Sequence, residues 1–219
     1  MSKPRRVSGR VRFEGAAPHP GRLNLVVQLR TPWVEWAFDL GRLPAGVVDD
    51  SLNFELRDLY PRPLLVALRG LPEGWVVKAV RHGGREITDI PTDFGAAPPD
   101  RSLEIVATNR VAFASVRVTD EEGRPVTAYA VLLAPADRTR WKAGPVLLDG
   151  TPSRDGVLDL GPRLPGDYLI AAVPLEDYRE VIRDSARFDS LERIARAVTF
   201  IEGNHPTVEL RLTHLPQRQ

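Results

Sequence analysis

Residues 154–172 read R-D-G-V-L-D-L-G-P-R-L-P-G-D-Y-L-I-A-A. Asp155-Gly156 supplies the positive φ of a tight turn. Leu158 and Leu160 alternate with polar neighbours as in a half-buried strand. A second turn follows at Leu164-Pro165-Gly166, and a further strand starts at Tyr168. A blurred copy lies earlier, with N-F-E-L at residues 53–56 and L-L-V-A-L at residues 64–68. The chain therefore reads as one β unit used twice. Both glycines are expected at positive φ, and valine at either is expected to destabilise the second unit by roughly 1–3 kcal/mol.

The chain has 219 residues, room for one large domain or two of about 110. Thirty basic residues face 29 acidic ones, so the chain lacks the charge excess of a nucleic-acid binder. Twenty Pro and 17 Gly imply many turns and short elements. The absence of Cys excludes disulfides, thiolate metal sites and Cys nucleophiles. No apolar run reaches the roughly 20 residues of a membrane helix, so no membrane insertion is expected. The N-terminus, M-S-K-P-R-R, runs straight into an alternating strand without the apolar core of a signal peptide. That fits a cytoplasmic chain, or one trimmed of its leader.

Period-two alternation marks strands at residues 7–13, 23–29, 53–56, 64–68, 75–81 and 103–107. After a junction at residues 108–110, strands recur at 112–119, 129–133, 146–148, 157–160, 168–173 and 207–212. Residues 31–48, with Trp33, Trp36 and Phe38 between Pro32 and Pro44, read as an irregular insertion. Phe188, Leu191, Ile194, Ala195 and Val198 fall on one stripe, which predicts a helix over residues 188–198. The tail from His214 is expected to fray. The expected fold is all-β: two tandem Ig-like β-sandwiches, at residues 5–109 and 110–214, with one short helix in the second. Val7, Val11, Leu25, Val27, Phe54, Leu65 and Trp75 are the expected first core. Val116, Val131, Leu133, Leu158, Leu160, Tyr168, Ile170 and Leu210 are the expected second.

Several segments resemble bacterial carboxypeptidase-regulatory-like domains: V-S-G-R-V-R-F-E-G at residues 7–15, G-L-P-E-G-W-V-V-K-A-V at 70–80 and E-I-T-D-I-P at 86–91. The second half carries V-T-D-E-E-G-R-P-V at 118–126, Y-A-V-L-L-A-P-A-D-R-T-R-W at 129–141 and the 155–172 stretch in the same order, followed by F-D-S-L-E-R-I-A-R-A-V at 188–198. The resemblance implies transthyretin-like seven-stranded sandwiches of secreted or envelope proteins, extracellular or periplasmic in location. It implies no catalytic residues and no cofactor. Two departures stand out: Val157 follows the Asp-Gly turn where the family places an aromatic, and the first unit has Y-P-R-P at residues 60–63 in place of Pro-Gly.

Chemistry is sparse. His19, His82, His205 and His214 form no close pair of metal ligands, and all four read as surface or turn residues. The purine-hydrolysing transthyretin-like proteins carry a Tyr-Arg-Gly-Ser tail, whereas this chain ends His-Leu-Pro-Gln-Arg-Gln. No G-x-S-x-G elbow occurs. Asp49-Asp50 and Asp120-Glu121-Glu122 lack the spacing of a calcium loop and read as turn acids. Trp33 and Trp36, with Glu35 between them, are the one candidate surface, for a protein partner or a glycan. The alternative is that they cover the open end of the first sandwich. The reading is a non-catalytic interaction, spacer or accessory module.

Overall fold

Alternating side chains build the strands, and the two faces of each strand settle where it packs. The computed structural model describes residues 5–15, 23–32, 43–95, 102–143, 146–148, 152–183 and 189–216. It divides into two compact units, Met1–Arg110 and Val111–Gln219. Each of the four sheets lies within one unit.

In unit 1 the strands are β1 (Arg5–Glu14), β2 (Val26–Arg30), β3 (Ala45–Val47), β4 (Asn53–Leu59), β5 (Pro63–Arg69), β6 (Val76–His82), β7 (Arg85–Glu86), β8 (Thr92–Asp93) and β9 (Leu103–Thr108). One sheet runs β4-β1-β9-β6-β7 and the other β3-β2-β5-β8. Val7, Val11, Phe54, Leu56 and Ile105 from the first meet Val27, Leu29 and Leu64 from the second in one apolar core. Leu64 packs in this cluster, and Leu65, expected in the core, is buried beside it. Trp75 is half-buried, set edge-on to Phe13 at 4.9 Å, and lies outside the buried core. The segment read as an insertion ends in a regular strand, β3. Its A-G-V is too short to show a period, and Gly46 removes the side chain that would reveal the buried face.

Unit 2 repeats the opening of this plan. Its strands are β10 (Ser115–Thr119), β11 (Ala130–Pro135), β12 (Val146–Leu148), β13 (Val157–Asp159), β14 (Gly166–Val173), β15 (Arg196–Phe200) and β16 (Thr207–Arg211). In both units the first strand pairs antiparallel with the fourth and parallel with the last. In both, the second strand lies between the third and the fifth. The units part at the next strand. β6 joins β9 in the first-strand sheet, whereas β15 joins β14 in the opposite sheet. All eight residues expected in the second core lie there, with Tyr129 and Phe200.

The organising turn recurs atom for atom. Gly156 N donates to Ser153 O at 2.9 Å, and Val157 N to Ser153 Oγ at 3.2 Å. In unit 1, Leu52 N donates to Asp49 O at 2.9 Å, and Asn53 N to Asp49 Oδ1 at 2.8 Å. Leu52 at φ 64° stands where Gly156 has φ 70°. Gly166, at φ 144°, is also positive. Leu158 and Leu160 are buried and Asp159 is exposed, as the alternation requires.

The helix expected over residues 188–198 is a correction. Only residues 189–194 of that span are helical, a 3-10 turn at 189–190 leading into α2 (Leu191–Ile194); Ala195 is extended at φ −77°, ψ 146°, and the strand β15 takes over from Arg196. Phe188 lies outside the described residues. Val198 and Phe200 alternate as well as Val198 continues a helical stripe, and pairing with β14 satisfies the backbone of this β-branched and aromatic run. The longer helix is α1 (Leu175–Arg183), begun after Pro174 with Glu176 and Asp177 in its first turn. Asp177 faces inward and accepts from Leu215 N at 2.8 Å and His214 Nδ1 at 3.2 Å. Leu215 is buried, so the tail is anchored where fraying was expected.

Tyr129 donates its buried hydroxyl to Gly156 O at 2.9 Å, tying β11 to the organising turn. Burial pushes its phenol up to about 12. A phenol raised above its unfolded value of about 10 keeps its full contribution below pH 10 and loses it as pH climbs through 12. Unit 2 is therefore expected to lose about 2–3 kcal/mol between pH 10 and 12. Chemical denaturation across that range checks this, and Tyr129→Phe is expected to flatten the decline.

Candidate functional site

Several side chains that could carry acid–base or metal chemistry are engaged in folding. Asp49 Oδ1 accepts from Ser51 N and Asn53 N, and Asp120 Oδ1 from Glu122 N and Arg124 N. These are the bonds of turn-forming aspartates. Asp120 is held below the usual carboxylate range, first by the Arg124 backbone bond, against desolvation, and then by the Arg124 side chain. His82 is buried against the Phe94 ring at 5.4 Å, not on the surface as expected. His205 packs on Phe113 at 5.8 Å. His214 is exposed beside Asp177. His19 lies outside the described residues. Trp141 is buried, with Nε1 donating to Pro135 O at 2.7 Å and the Arg138 guanidinium over its ring at 5.1 Å.

Trp33, Glu35 and Trp36 lie outside the described residues. The chain they belong to re-enters at Leu43 and runs into β3. There Gly46 packs directly on β4: a Cβ would sit 2.5 Å from Glu55 O, so only glycine lets the rims of the two sheets close. Beside this contact lies a groove of about 710 Å³ lined by Leu43, Val47, Arg57, Tyr60, Arg62 and Leu64 among others. Val47 is 75% exposed and Tyr60 55%, two of the few large apolar side chains open to solvent among the described residues. Glu55 pairs with Arg57 at 2.7 Å and with Arg6 at 3.6 Å along the rim. Asp58 turns the end of β4 at φ 57°. An aromatic ring, an exposed valine and arginines around a groove form a surface suited to contact, and of the carboxylates that line it, Glu55 and Asp58, the first is paired with Arg57 and Arg6. The sequence signal for Tyr60 and Arg62 was the Y-P-R-P turn, which reads as a departure in loop chemistry and reveals its exposure only in the fold.

No protein-family model matches the chain, and no curated protein matches it. Solved structures of similar shape include GBS52, the minor pilin of Streptococcus agalactiae, at 10% identity and TM-score 0.38, covering 98% of each chain. The shaft pilin SpaA of Lactobacillus rhamnosus GG matches at 9% identity and TM-score 0.29, covering 99% of this chain and 100% of that one. The Bacillus anthracis TIE protein matches at 10% identity and TM-score 0.31; this chain covers 34% of its length, and 96% of this chain is matched. The all-β assignment rests on the sheets described above. No helix among the described residues is long and apolar enough to cross a membrane.

Proposed function

We propose that the chain is a non-catalytic pair of β-sandwich modules of the carboxypeptidase-regulatory-like type, serving as an interaction or accessory part of a secreted or cell-envelope protein of bacteria. The observation that carries this reading is the unit 1 rim, where Val47 and Tyr60 stand exposed around a groove while the polar side chains quoted above are spent on turns and anchors. The recurrence of the 49–53 turn at 153–157 supports two copies of one module. Trp33, Glu35 and Trp36 precede this rim in the chain, and we assign them a part in partner binding. Exposed aromatic anchors with arginine neighbours suit a protein partner.

Photo-crosslinking residues placed at Val47 and Tyr60, and at Arg117 of unit 2 as a control, test this in the producing cell. Protein adducts at 47 and 60, absent at 117 and lost with Trp33→Ala, are expected. Equal labelling at all three positions overturns the rim. Competition by soluble sugars, with quenching of tryptophan fluorescence, selects a glycan-binding module instead.

A further inference from the structure

The outward face of the β4-β1-β9-β6 sheet carries an imbalance that its counterpart in unit 2 does not. Cross-strand register sets Asn53, Arg10, Glu104 and Arg81 in one row over four strands. Arg10 Nη2 reaches Glu104 Oε1 at 3.1 Å, Arg12 Nη1 reaches the same oxygen at 3.5 Å, and Arg81 Nη1 reaches Oε2 at 3.2 Å. Three guanidinium groups thus share one carboxylate. They bring about fifteen N–H donors to roughly four lone pairs. Partial burial raises the Glu104 carboxyl, but the guanidinium hydrogen bonds overcome that and hold it below the usual range, so it is ionised and spent.

Unit 2 provides the comparison within the same molecule. Val11 N donates to Leu52 O as Val118 N does to Gly156 O, which aligns Arg10 with Arg117 and Glu104 with Glu209. There the Glu209 carboxylate pairs with Arg117, Nε to Oε1 at 3.4 Å, and a second guanidinium, from Arg196, goes to the Glu209 backbone oxygen at 3.0 Å instead. Thr119 stands where unit 1 has Arg12, and the strand that would carry a third arginine has gone to the other sheet. The two added arginines are therefore not needed to build this sheet.

Arg10 and Arg12 keep 63% and 57% of their side-chain surface exposed. Arg10, Arg81 and Glu104 border a shallow depression of about 450 Å³, completed by Ser8, Asn53, Ser102 and Gly84, and Arg12 joins them through the shared Glu104 oxygen. Forks converging from three directions suit a tetrahedral oxyanion, whose oxygens spread in space, better than a planar carboxylate, which one fork already satisfies. Among the described residues no aromatic side chain lines the depression, which leaves a nucleobase only guanidinium planes to stack on.

We propose that Arg10, Arg12 and Arg81 form a binding site for the tetrahedral oxyanion of a phosphate or sulfate ester, with Glu104 holding the guanidinium groups in place and competing with the ligand. This site is separate from the rim groove and does not depend on it.

Titration of the whole chain at low salt with dextran sulfate, neutral dextran, inorganic sulfate and a single-stranded oligonucleotide tests it. Dextran sulfate is expected to bind, neutral dextran not to, and millimolar sulfate to compete. Arg12→Gln and Arg81→Gln are each expected to weaken binding about threefold to tenfold and to reduce its salt dependence, while Arg117→Gln leaves it unchanged. Glu104→Gln is expected to tighten binding by a similar factor, an effect a merely structural carboxylate would not produce. Circular dichroism melts confirm that each variant folds. The proposal is overturned if dextran sulfate fails to bind, if Arg117→Gln weakens it as much as Arg81→Gln, or if Glu104→Gln leaves it unchanged or weaker. An oligonucleotide binding as tightly as dextran sulfate, with Arg81→Gln weakening neither, shows that the chain responds to polymer charge alone and overturns the site.

Discussion

Gly156→Val is expected to lower the stability of unit 2 by about 2–5 kcal/mol, combining a left-handed backbone cost of about 1–2 with overpacking of about 1–3. Gly156 sits at φ 70°, and a Cβ there would lie 2.8 Å from both Val118 O and Val126 O. Those oxygens belong to backbone and cannot rotate aside. Val118 and Gly156 are themselves joined by a hydrogen bond of 3.0 Å, and Tyr129 bonds the Gly156 carbonyl, so any shift of the turn loosens both. Gly166→Val is the matched control. Its φ of 144° is also positive, yet the nearest atom to a new Cβ is Tyr168 Cε2 at 3.9 Å. It is expected to cost about 1–2 kcal/mol. Scanning calorimetry reads both, with the unit 1 transition expected to stay in place. Equal shifts for the two variants would remove the steric half of the explanation.

Gly9→Val is expected to destabilise unit 1 by about 3 kcal/mol, at the upper end of overpacking. A Cβ at Gly9 would collide with Leu103 O and with the tip of the Phe54 ring. Phe54 lies opposite Gly9 across β1 and β4, as Leu158 lies opposite Val116 in unit 2. The two units thus fill the same place with a small–large pair in one and two aliphatics in the other. Phe54→Leu in the Gly9→Val background is expected to recover about 1 kcal/mol, since the ring clash goes and the Leu103 carbonyl stays. A double-mutant cycle by urea denaturation measures that coupling, and strict additivity would show that the two positions do not share one volume.

Alternation made most strands legible, because a half-buried strand writes its two faces directly into the chain. Gly156 and Gly166 were legible as turns for the same local reason. What sets them apart, two carbonyls against one glycine and open space beside the other, depends on which strands converge there. The Gly9–Phe54 exchange was hidden likewise, since neither residue announces its cross-strand neighbour. Residues 188–198 misled because Leu191, Ile194 and Val198 fit a helical stripe while Val198 and Phe200 fit a strand, and the open side of β14 decided between them. Asp177 carries no sequence signal of its role, because its partner, Leu215 N, lies 38 residues away and meets it only in the fold. The arginine cluster was invisible for a plainer reason: Arg10, Glu104 and Arg81 are scattered along the chain and meet only through the register of three strands.

The parallel pairing of first and last strands has a mechanical meaning. In unit 1, β1 and β9 run side by side over six residue pairs, from Gly9 with Leu103 to Glu14 with Thr108. In unit 2, β10 and β16 do so over five. Tension applied to the two ends of either unit pulls these strands lengthwise past each other. Every hydrogen bond between them is then loaded together in shear, where an antiparallel hairpin pulled at its open end would unzip one bond at a time. Each unit is thus built to carry force along its chain, and to yield only when a whole ladder gives way at once.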